Sequence, residues 1–257
     1  MTRPAARQER LLELLGRHQR MTVEEIAEQL DVSQETVRRD LTALAARNRL
    51  QKFHGGATLP DSLGEGAFRT RMVENLDAKR AIARRAAALF GPGDSLFIDT
   101  GSTTIAFAAE LAQRQLVVAT NSASIAHLVS RGGGNTVFLL GGEYRREGGE
   151  NLGSLVLQQI AGFCPGHVVL TVGGLGLEGA ADFDMQEAEV ARAMIAHAQR
   201  VTLLADTSKF GRKAPFRVCT IDRVSRVVTN RLPPPPLRQA LNAAGVEILL
   251  APPPARP

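Results

Sequence analysis

The sequence contains few aromatic residues, no tryptophan and no long apolar run. Aromatic residues make up 4% of the 257 positions, which argues against nucleic-acid recognition by base stacking on aromatic side chains. No stretch approaches the about 18–20 uninterrupted apolar residues of a membrane-spanning helix. The chain is still 44% hydrophobic and 22% charged, a balance that excludes a wholly disordered chain.

Cysteine is equally scarce, since Cys164 and Cys219 are the only two and form no CxxC pattern. Both stand in apolar stretches, so we expect two buried, reduced thiols and no disulfide. The N-terminus has no apolar stretch of signal-peptide length before charged residues interrupt it. These absences together predict a cytoplasmic protein.

The charge is mildly basic and unevenly placed. Lysine and arginine number 31 against 26 acidic residues, an excess that allows nucleic acid, an anionic small molecule or no specific partner. Residues 1–20 and 33–60 each carry five basic and two acidic side chains, whereas residues 21–32 carry four acidic and no basic ones. The basic charge of the first sixty residues therefore flanks an acidic segment.

Three helices are predicted in the first sixty residues. The first covers about Arg7–Gly16, and the second begins at Thr22, with Glu25 three residues later forming a capping box. Ser33 is the expected N-cap of a third helix that runs to about Ala46. The connection between the second and third helices is about three residues long, which is the helix-turn-helix spacing.

The third helix has an apolar face and a polar face. Val37, Leu41 and Leu44 fall on one side of it. The exposed polar side chains are of types that hydrogen-bond to base edges and phosphates. They are Ser33, Gln34, Thr36, Arg38 and Arg39. A three-helix adaptor with solvated arginines has the same periodicity, so this pattern alone leaves DNA binding and an adaptor role open.

A short alternating stretch follows and ends in two glycines. Its pattern predicts a β-hairpin wing that presents basic side chains to a DNA backbone. These side chains are Arg49, Lys52 and His54.

From Met21 to Ala57 the sequence resembles the winged helix-turn-helix of the DeoR family of bacterial transcriptional regulators. The most specific pieces are Val32-Ser33-x-x-Thr36-Val37-Arg38-Arg39-Asp40-Leu41 and His54-Gly55-Gly56-Ala57. The resemblance implies that residues 1–57 bind double-stranded operator DNA and that the third helix is the recognition helix. We hypothesise that Arg39 contacts DNA directly, because it projects from the face opposite the apolar stripe.

The rest of the chain predicts a mostly parallel α/β domain. Residues 58–76 read as a linker, residues 77–250 as the domain, and the Pro-rich residues 251–257 as a frayed tail. Short apolar runs are separated by helical patterns, which is typical of a parallel sheet covered on both faces. The runs are residues 95–98, 116–119, 137–140, 168–172, 201–205, 226–228 and 246–250. The helical patterns are residues 77–90, 103–113, 122–130, 152–163, 185–199 and 236–244.

Polar and glycine residues recur directly after these strands, where parallel sheets bind ligands. The best candidate is the loop Asp99–Thr104, because a glycine and three hydroxyl residues at a helix N-terminus suit an anion such as phosphate. Ordinary helix capping would use the same residue types. Lys209 could supply positive charge to a phosphate, or it could pair with Asp206 or be solvated.

A metal is not expected, although Asp182, Asp184 and Glu187 stand close together. Asp184 and Glu187 have the spacing of a helix start, which explains both carboxylates. No histidine or cysteine lies near them in sequence. We also expect no cofactor.

The resemblance to the DeoR family extends through this domain, from about Gln8 to Leu250. It is carried by "AKRAIARRAAALFGPGDSLFIDTGSTT", "VVATNS", "LLGGEYR" and "LLADTSKFG", whereas residues 173–179 match the family's glycine-rich turn only loosely. It implies an effector domain similar in fold to ribose-5-phosphate isomerase. The implied phosphate loop is Asp99, Gly101, Ser102, Thr103 and Thr104. The other implied pocket residues are Asn121, Gly141, Gly142, Asp206 and Lys209.

Two function classes follow from these patterns. The first is a repressor of a sugar-catabolism operon that forms a homo-oligomer and whose operator affinity is controlled by a phosphorylated sugar. The second is an isomerase-like enzyme with an appended DNA-binding head. The D-G-A-D-E and R-E-K signatures of the isomerases are missing, so we predict a regulator without enzyme activity.

Overall fold

The computed structural model describes residues 4–18, 20–46, 50–53, 55–58 and 68–252. The chain divides into two compact units, residues 1–66 and residues 67–257. The first unit, called the head below, holds three helices and a small sheet. Its elements are α1 (Pro4–His18), β1 (Arg20–Thr22), α2 (Val23–Leu30), α3 (Gln34–Ala45), β2 (Gln51–Phe53) and β3 (Gly56–Thr58).

Side-chain caps mark the starts of both α2 and α3, as the sequence predicts. The backbone N–H of Thr22 donates to the Glu25 carboxylate at 2.7 Å, and the N–H of Glu25 donates to the Thr22 hydroxyl at 3.2 Å. Asp31 ends α2 in the left-handed conformation, with φ of 52°. The Ser33 hydroxyl accepts a hydrogen bond from the N–H of Thr36. Both predicted caps are therefore confirmed.

The predicted hairpin wing is present as β2 and β3, which pair antiparallel. β1 adds a third strand on the other side of β3, so that Met21 lies opposite Ala57. A compact apolar core lies beneath these elements. Its fully buried members include Leu11, Leu15, Ile26, Val37 and Leu41.

An ion pair inside the head joins α1 to α3, and the sequence patterns do not predict it. Asp40 is buried on α3, and the Nε of Arg7 donates to its carboxylate at 2.5 Å. Gln8 donates to the other carboxylate oxygen at 3.0 Å. The hydrogen bond from Arg7 to Asp40 raises the pKa of the Arg7 guanidinium. The orientation of α3 is thus fixed by polar bonds to α1 as well as by apolar packing.

The second unit, called the body below, alternates strands with helices. Its helices are α4 (Phe68–Val73), α5 (Leu76–Ala87), α6 (Ser102–Ala109), α7 (Ala123–Ser130), α8 (Ser154–Ile160), α9 (Met185–His197) and α10 (Pro235–Ala243). Its strands are β4 (Ser95–Ile98), β5 (Val117–Thr120), β6 (Thr136–Leu139), β7 (Glu143–Arg145), β8 (Glu150–Leu152), β9 (His167–Thr171), β10 (Gly174–Gly176), β11 (Gly179–Asp182), β12 (Arg200–Leu204), β13 (Phe216–Cys219), β14 (Arg226–Thr229) and β15 (Glu247–Leu250).

Seven strands form a parallel sheet in the order β15-β14-β12-β9-β4-β5-β6. The chain runs outward from β4 to β6, returns to β9 beside β4, and then runs outward on the other side. The strand order therefore reverses between β4 and β9. Separate apolar clusters cover the two faces of the sheet, one around Phe97 and Leu170 and the other around Ile82 and Phe107. The predicted α/β class with a mostly parallel sheet is confirmed.

Four details differ from the sequence interpretation. A short helix, α4, lies within residues 58–76, which the sequence interpretation reads as a linker. The helix expected at residues 152–163 is α8, which begins only at Ser154 because Leu152 still belongs to β8. The antiparallel pairs β7-β8 and β10-β11-β13 were not expected. Cys164 follows the last turn of α8 and is exposed, so the prediction that it is buried is wrong. Cys219 is buried, as expected.

Across the residues that the structure describes, no helix is both long and apolar enough to span a bilayer.

The ion pair in the head yields a testable prediction. Replacing Asp40 by Ala should leave the Arg7 guanidinium without its carboxylate, and hydrogen bonds to charged groups contribute about 1.5–3 kcal/mol. We expect the free energy of opening of the α1 and α3 amides to fall by that amount in hydrogen exchange on the full chain. Glu35→Ala is the matched control, because its pair with Arg39 is exposed and such pairs contribute little. An equal loss in both variants would contradict the role of Asp40.

Candidate functional site

The exposed face of α3 carries the polar residues predicted for DNA contact. Ser33, Gln34 and Arg38 are exposed, and the Arg39 side chain is 80% exposed with its Nε 3.3 Å from the Glu35 carboxylate. Thr36 is half-buried, and its N–H is held by the Ser33 cap. This face therefore presents two arginines to solvent.

The wing lies against this helix through Lys52. Its Nζ donates to the Thr42 hydroxyl at 3.1 Å, and that hydroxyl donates to the carbonyl of Arg38 at 2.8 Å. Lys52 is thus placed one turn from the exposed arginines of α3. Arg49 and His54, the other two predicted wing contacts, lie outside the described residues.

In the body, the loop Asp99–Thr104 lies where the strand order reverses, at the carboxyl ends of β4 and β9. Open α/β sheets bind ligands in the crevice at such a switch point. The Asp99 carboxylate accepts a hydrogen bond from the N–H of Thr171, the last residue of β9, at 3.2 Å. The N–H of Asp99 donates to the carbonyl of Val169. Asp99 therefore connects the two central strands.

Gly101 is required at this point by the close approach of β9. A Cβ built on Gly101 would lie 1.9 Å from the Thr171 Cγ2 atom, closer than any real contact. Helix α6 begins directly after this glycine, with Ser102, Thr103 and Thr104 all buried. The Thr104 hydroxyl donates to the Gly101 carbonyl at 3.0 Å, so one of the three predicted hydroxyls serves the loop itself.

Several carboxyl groups gather beside this loop. Burial raises the pKa of Asp99 well above its usual range, the Thr171 N–H lowers it, and Asp182 raises it further. Burial also raises the pKa of Glu150, while the Arg145 guanidinium lowers it. Arg145 itself pairs with Asp184 at 2.7 Å. The loop is thus bordered by acidic groups on the β8 side of the switch point.

Asn121 links the loop to the β7-β8 hairpin. Its amide nitrogen donates to the carbonyl of Asn151 at 3.1 Å, and its amide oxygen accepts from the Thr100 hydroxyl at 3.5 Å. The N–H of Asn151 donates to the Asn121 carbonyl. Both ends of the Asn121 amide therefore bond to other parts of the fold, Asn151 and Thr100.

Gly141 and Gly142 lie after β6, at the edge of the sheet. Gln159 of α8 both accepts from the N–H of Gly141 and donates to its carbonyl, each at 3.0 Å. A Cβ on Gly142 would lie 2.6 Å from the Leu152 carbonyl oxygen. The structure places this pair two strands away from β4, where both glycines pack against neighbouring backbone and side chains.

Asp206 and Lys209 lie at the end of β12, and both are buried. One Asp206 oxygen accepts from the N–H of Ser208 at 2.9 Å and from the Asn75 amide at 3.4 Å. The other oxygen is buried and has no hydrogen-bond partner among the described residues. Asn75 is held in the left-handed conformation at the start of α5.

Lys79 of α5 joins this group, although the sequence interpretation does not include it. It is 4% exposed, and its Nζ donates to the carbonyl of Arg71. Burial lowers the pKa of the Lys79 ammonium; Asp206 raises it and Lys209 lowers it again. The sequence gives one indication that Lys79 is unusual. Lysine is rare in this chain, with four in all, and Lys79 lies in a helical segment with the apolar residues Ala78 and Ile82 close by.

The Asp99–Thr104 loop and the lysine cluster both lie at the carboxyl ends of the parallel strands. β4, β9 and β12 are successive neighbours, so the loops after β4 and β12 are two strand spacings apart, about 10 Å. A small elongated ligand can reach both the Asp99–Thr104 loop and the lysines. Among the described residues, no cluster of three or more histidine, cysteine, aspartate or glutamate side chains is arranged to hold a metal ion.

Both units match known protein families. Residues 7–63 match the family described as the DeoR-like helix-turn-helix domain, and residues 74–231 match the DeoR C terminal sensor domain.

Similar proteins cover nearly the whole chain. The HTH-type transcriptional repressor CsqR of Escherichia coli (strain K12) is 33% identical over 95% of this chain and 94% of its own. The glycerol-3-phosphate regulon repressor of the same organism is 33% identical over 93% and 96%. The HTH-type transcriptional repressor GlcR of Bacillus subtilis (strain 168) is 32% identical over 93% of each chain.

Among solved structures, ribose 5-phosphate isomerase A from Methanocaldococcus jannaschii aligns with a TM-score of 0.41 and 16% identity. The alignment covers 55% of this chain and 56% of the isomerase. A likeness this weak says nothing about activity.

The close approach at Gly101 gives the second prediction. Gly101→Ala should destabilise the body by about 1–3 kcal/mol, the usual cost of adding a methyl group to a packed site. Combining it with Thr171→Ser, which removes the clashing methyl group, should restore most of that loss. The free energy of unfolding is measured by urea denaturation with circular dichroism. Gly176→Ala is the control, because a Cβ there meets no atom within 4 Å. Failure of the double variant to recover would contradict the proposed clash.

Proposed function

Because this chain belongs to the DeoR family of transcriptional regulators, we propose that a phosphorylated sugar bound in its body controls the affinity of its head for operator DNA. The head contacts the DNA through the exposed face of α3 and through the wing. The effector binds at the carboxyl ends of β4, β9 and β12. Its binding relieves repression of an operon for sugar catabolism.

The observation that carries the effector proposal is the pair of buried lysines beside Asp206. Lys79 and Lys209 bring two buried ammonium groups close to the carboxyl ends of the central strands. An anionic ligand that reaches these ammonium groups would form charge-assisted hydrogen bonds with them. A phosphate group has the charge and the acceptor oxygens to do this.

The Asp99–Thr104 loop supplies the second part of the proposed pocket. Its backbone N–H groups at the start of α6 suit either a phosphate or the hydroxyls of a sugar. One relative is named as the repressor of the glycerol-3-phosphate regulon, and glycerol 3-phosphate is a phosphorylated polyol. That name supports the ligand class and leaves the particular sugar to experiment.

The chain is a regulator rather than an enzyme, since its relatives are transcriptional repressors. We propose that it acts in the cytoplasm as a homo-oligomer, because two-fold DNA sites call for two heads. The effector shifts DNA affinity only by the difference between its affinities for the DNA-bound and the DNA-free arrangement. An effector that binds the free arrangement better therefore releases the operator.

Lysine substitutions test the effector site. Lys79→Met and Lys209→Met should each weaken effector binding at least tenfold, about 1.4 kcal/mol, because each removes a buried cation. The operator DNA is first selected from random sequence with the purified protein. Effector binding is then measured as the release of this DNA when each of a panel of sugar phosphates is titrated in. Lys213→Met is the matched control, since Lys213 is exposed. If no phosphorylated sugar alters DNA binding, or if Lys213→Met is equally impaired, the assignment is wrong.

An arginine substitution tests the DNA-binding face. Arg39→Ala should weaken operator binding about tenfold, or it should lower the slope of log affinity against log salt concentration by the amount that one phosphate contact contributes. Affinity is measured at several salt concentrations by fluorescence anisotropy. Arg223→Ala removes the same charge from an exposed position in the body and should change neither quantity. Unchanged affinity and salt dependence in Arg39→Ala would show that Arg39 does not touch DNA.

A further inference from the structure

The edge strand β6 is exposed and carries no charge. It is the last strand on one side of the seven-stranded sheet, and its Phe138 and Leu139 are 44% and 48% exposed. No charged residue or proline occurs between Arg131 and Glu143. Proteins usually protect an edge strand with charges, proline or a covering element. β6 has no charge and no proline.

The backbone of β6 has bonding groups that face away from the sheet. The N–H groups of Thr136 and Leu140 donate to the carbonyls of Leu116 and Thr120 in and beside β5. Because backbone groups alternate in direction along a strand, the N–H and C=O groups of Val137 and Leu139 point outward. The strand therefore offers two donors and two acceptors along its open side.

Apolar side chains surround this open edge. Val117 of β5, opposite Thr136, is 40% exposed. Leu155 is 59% exposed on α8, the helix whose Gln159 bonds to Gly141 at the end of β6. The ring of Phe138 lies 5.3 Å from that of Phe163, so one apolar surface continues from the strand toward α8.

We propose that this edge is the interface with a second copy of the chain, paired antiparallel about a two-fold axis through Phe138. In that register Val137 lies opposite the partner's Leu139, and the outward donors and acceptors satisfy each other in four hydrogen bonds. Phe138 faces its own counterpart. The two sheets join into one continuous sheet of fourteen strands.

The charges at the two ends of this segment favour a second copy as the occupant. Arg131 precedes β6 and Glu143 follows it, and both are exposed. An antiparallel two-fold arrangement brings the basic end of one copy toward the acidic end of the other, on both sides of the axis. The strand is thus complementary to itself in hydrogen bonding and in charge, as an isologous interface requires.

This proposal rests on the proposed function, in that a two-fold operator needs two heads held together. It adds the surface that joins the bodies. An interface of standard size covers about 800 Å² on each partner, more than four strand residues provide. Leu155 and the neighbouring surface of α8 are therefore part of it.

A cross-linking experiment on the full chain tests the register. Phe138→Cys is made in a Cys164→Ser background, because Cys164 is exposed. Opposed residues in a non-hydrogen-bonded antiparallel pair have Cα atoms about 4.5 Å apart, within reach of a disulfide. Mild oxidation should convert the chain into a covalent dimer. Leu250→Cys in the same background is the control, since Leu250 is also 44% exposed, on the opposite edge strand.

Light scattering tests the interface independently of disulfide formation. The untreated chain should have the mass of at least two copies, Phe138→Lys should halve that mass, and Leu250→Lys should leave it unchanged. Circular dichroism checks that each variant is folded, and Leu139→Lys replaces Phe138→Lys if the latter unfolds. A monomeric wild-type chain, equal cross-linking in both cysteine variants, or a folded Phe138→Lys or Leu139→Lys chain of full mass would overturn the proposal. Loss of DNA binding with intact cross-linking would instead count against the proposed function.

Discussion

The hydrogen bond from the Thr171 N–H to the Asp99 carboxylate ties the start of the proposed effector site to the centre of the sheet. It joins the ends of β4 and β9, the two strands between which the chain reverses its direction of travel across the sheet. Gly101 allows the loop after β4 to pass over Thr171 at that point. The start of α6 is positioned as a result, and with it the backbone groups that face the proposed ligand. This bond, the bond from the Asp99 N–H to the Val169 carbonyl and the pairing of β4 with β9 together position the proposed binding edge.

Buried charge has two different roles in the two units. In the head, Arg7 and Asp40 are matched with each other, and the pair holds two helices together. In the body, Lys79, Lys209 and Asp206 are all buried, and we propose that an anionic ligand binds beside them. The first contact is made wholly within the fold, whereas the proposed site also takes a group from outside.

Sequence patterns predicted most of the fold because its elements obey local rules. The caps at Thr22 and Ser33 follow from spacing alone, and the apolar runs from β4 to β15 are bounded by turn residues. The antiparallel additions, such as β10 with β11, were missed because they are short and rich in glycine and alanine, without an alternating pattern. Cys164 was misplaced since neighbouring apolar residues do not reveal that a helix has just ended.

The candidate site was predictable where it lies within one loop and not where it depends on tertiary contact. Asp99–Thr104 is contiguous, so its composition can suggest an anion site, although ordinary helix capping uses the same residue types. Lys79 lies on a helix 127 positions before Asp206, and only the packing of α5 on the sheet brings them together. The same holds for Asp40, whose partner on α1 is 33 residues away. Pairings of this kind depend on the folded topology, which a single sequence does not display.

The bond between Arg7 and Asp40 also limits how a signal can reach DNA. α3 carries the exposed arginines, and it is tied to α1 inside the head by a charge pair that lies beneath the reading surface. The effector proposed above binds in the body, outside the unit that contains this pair. We therefore expect the proposed control of DNA affinity to act on the head as a unit, rather than on the position of α3 within it.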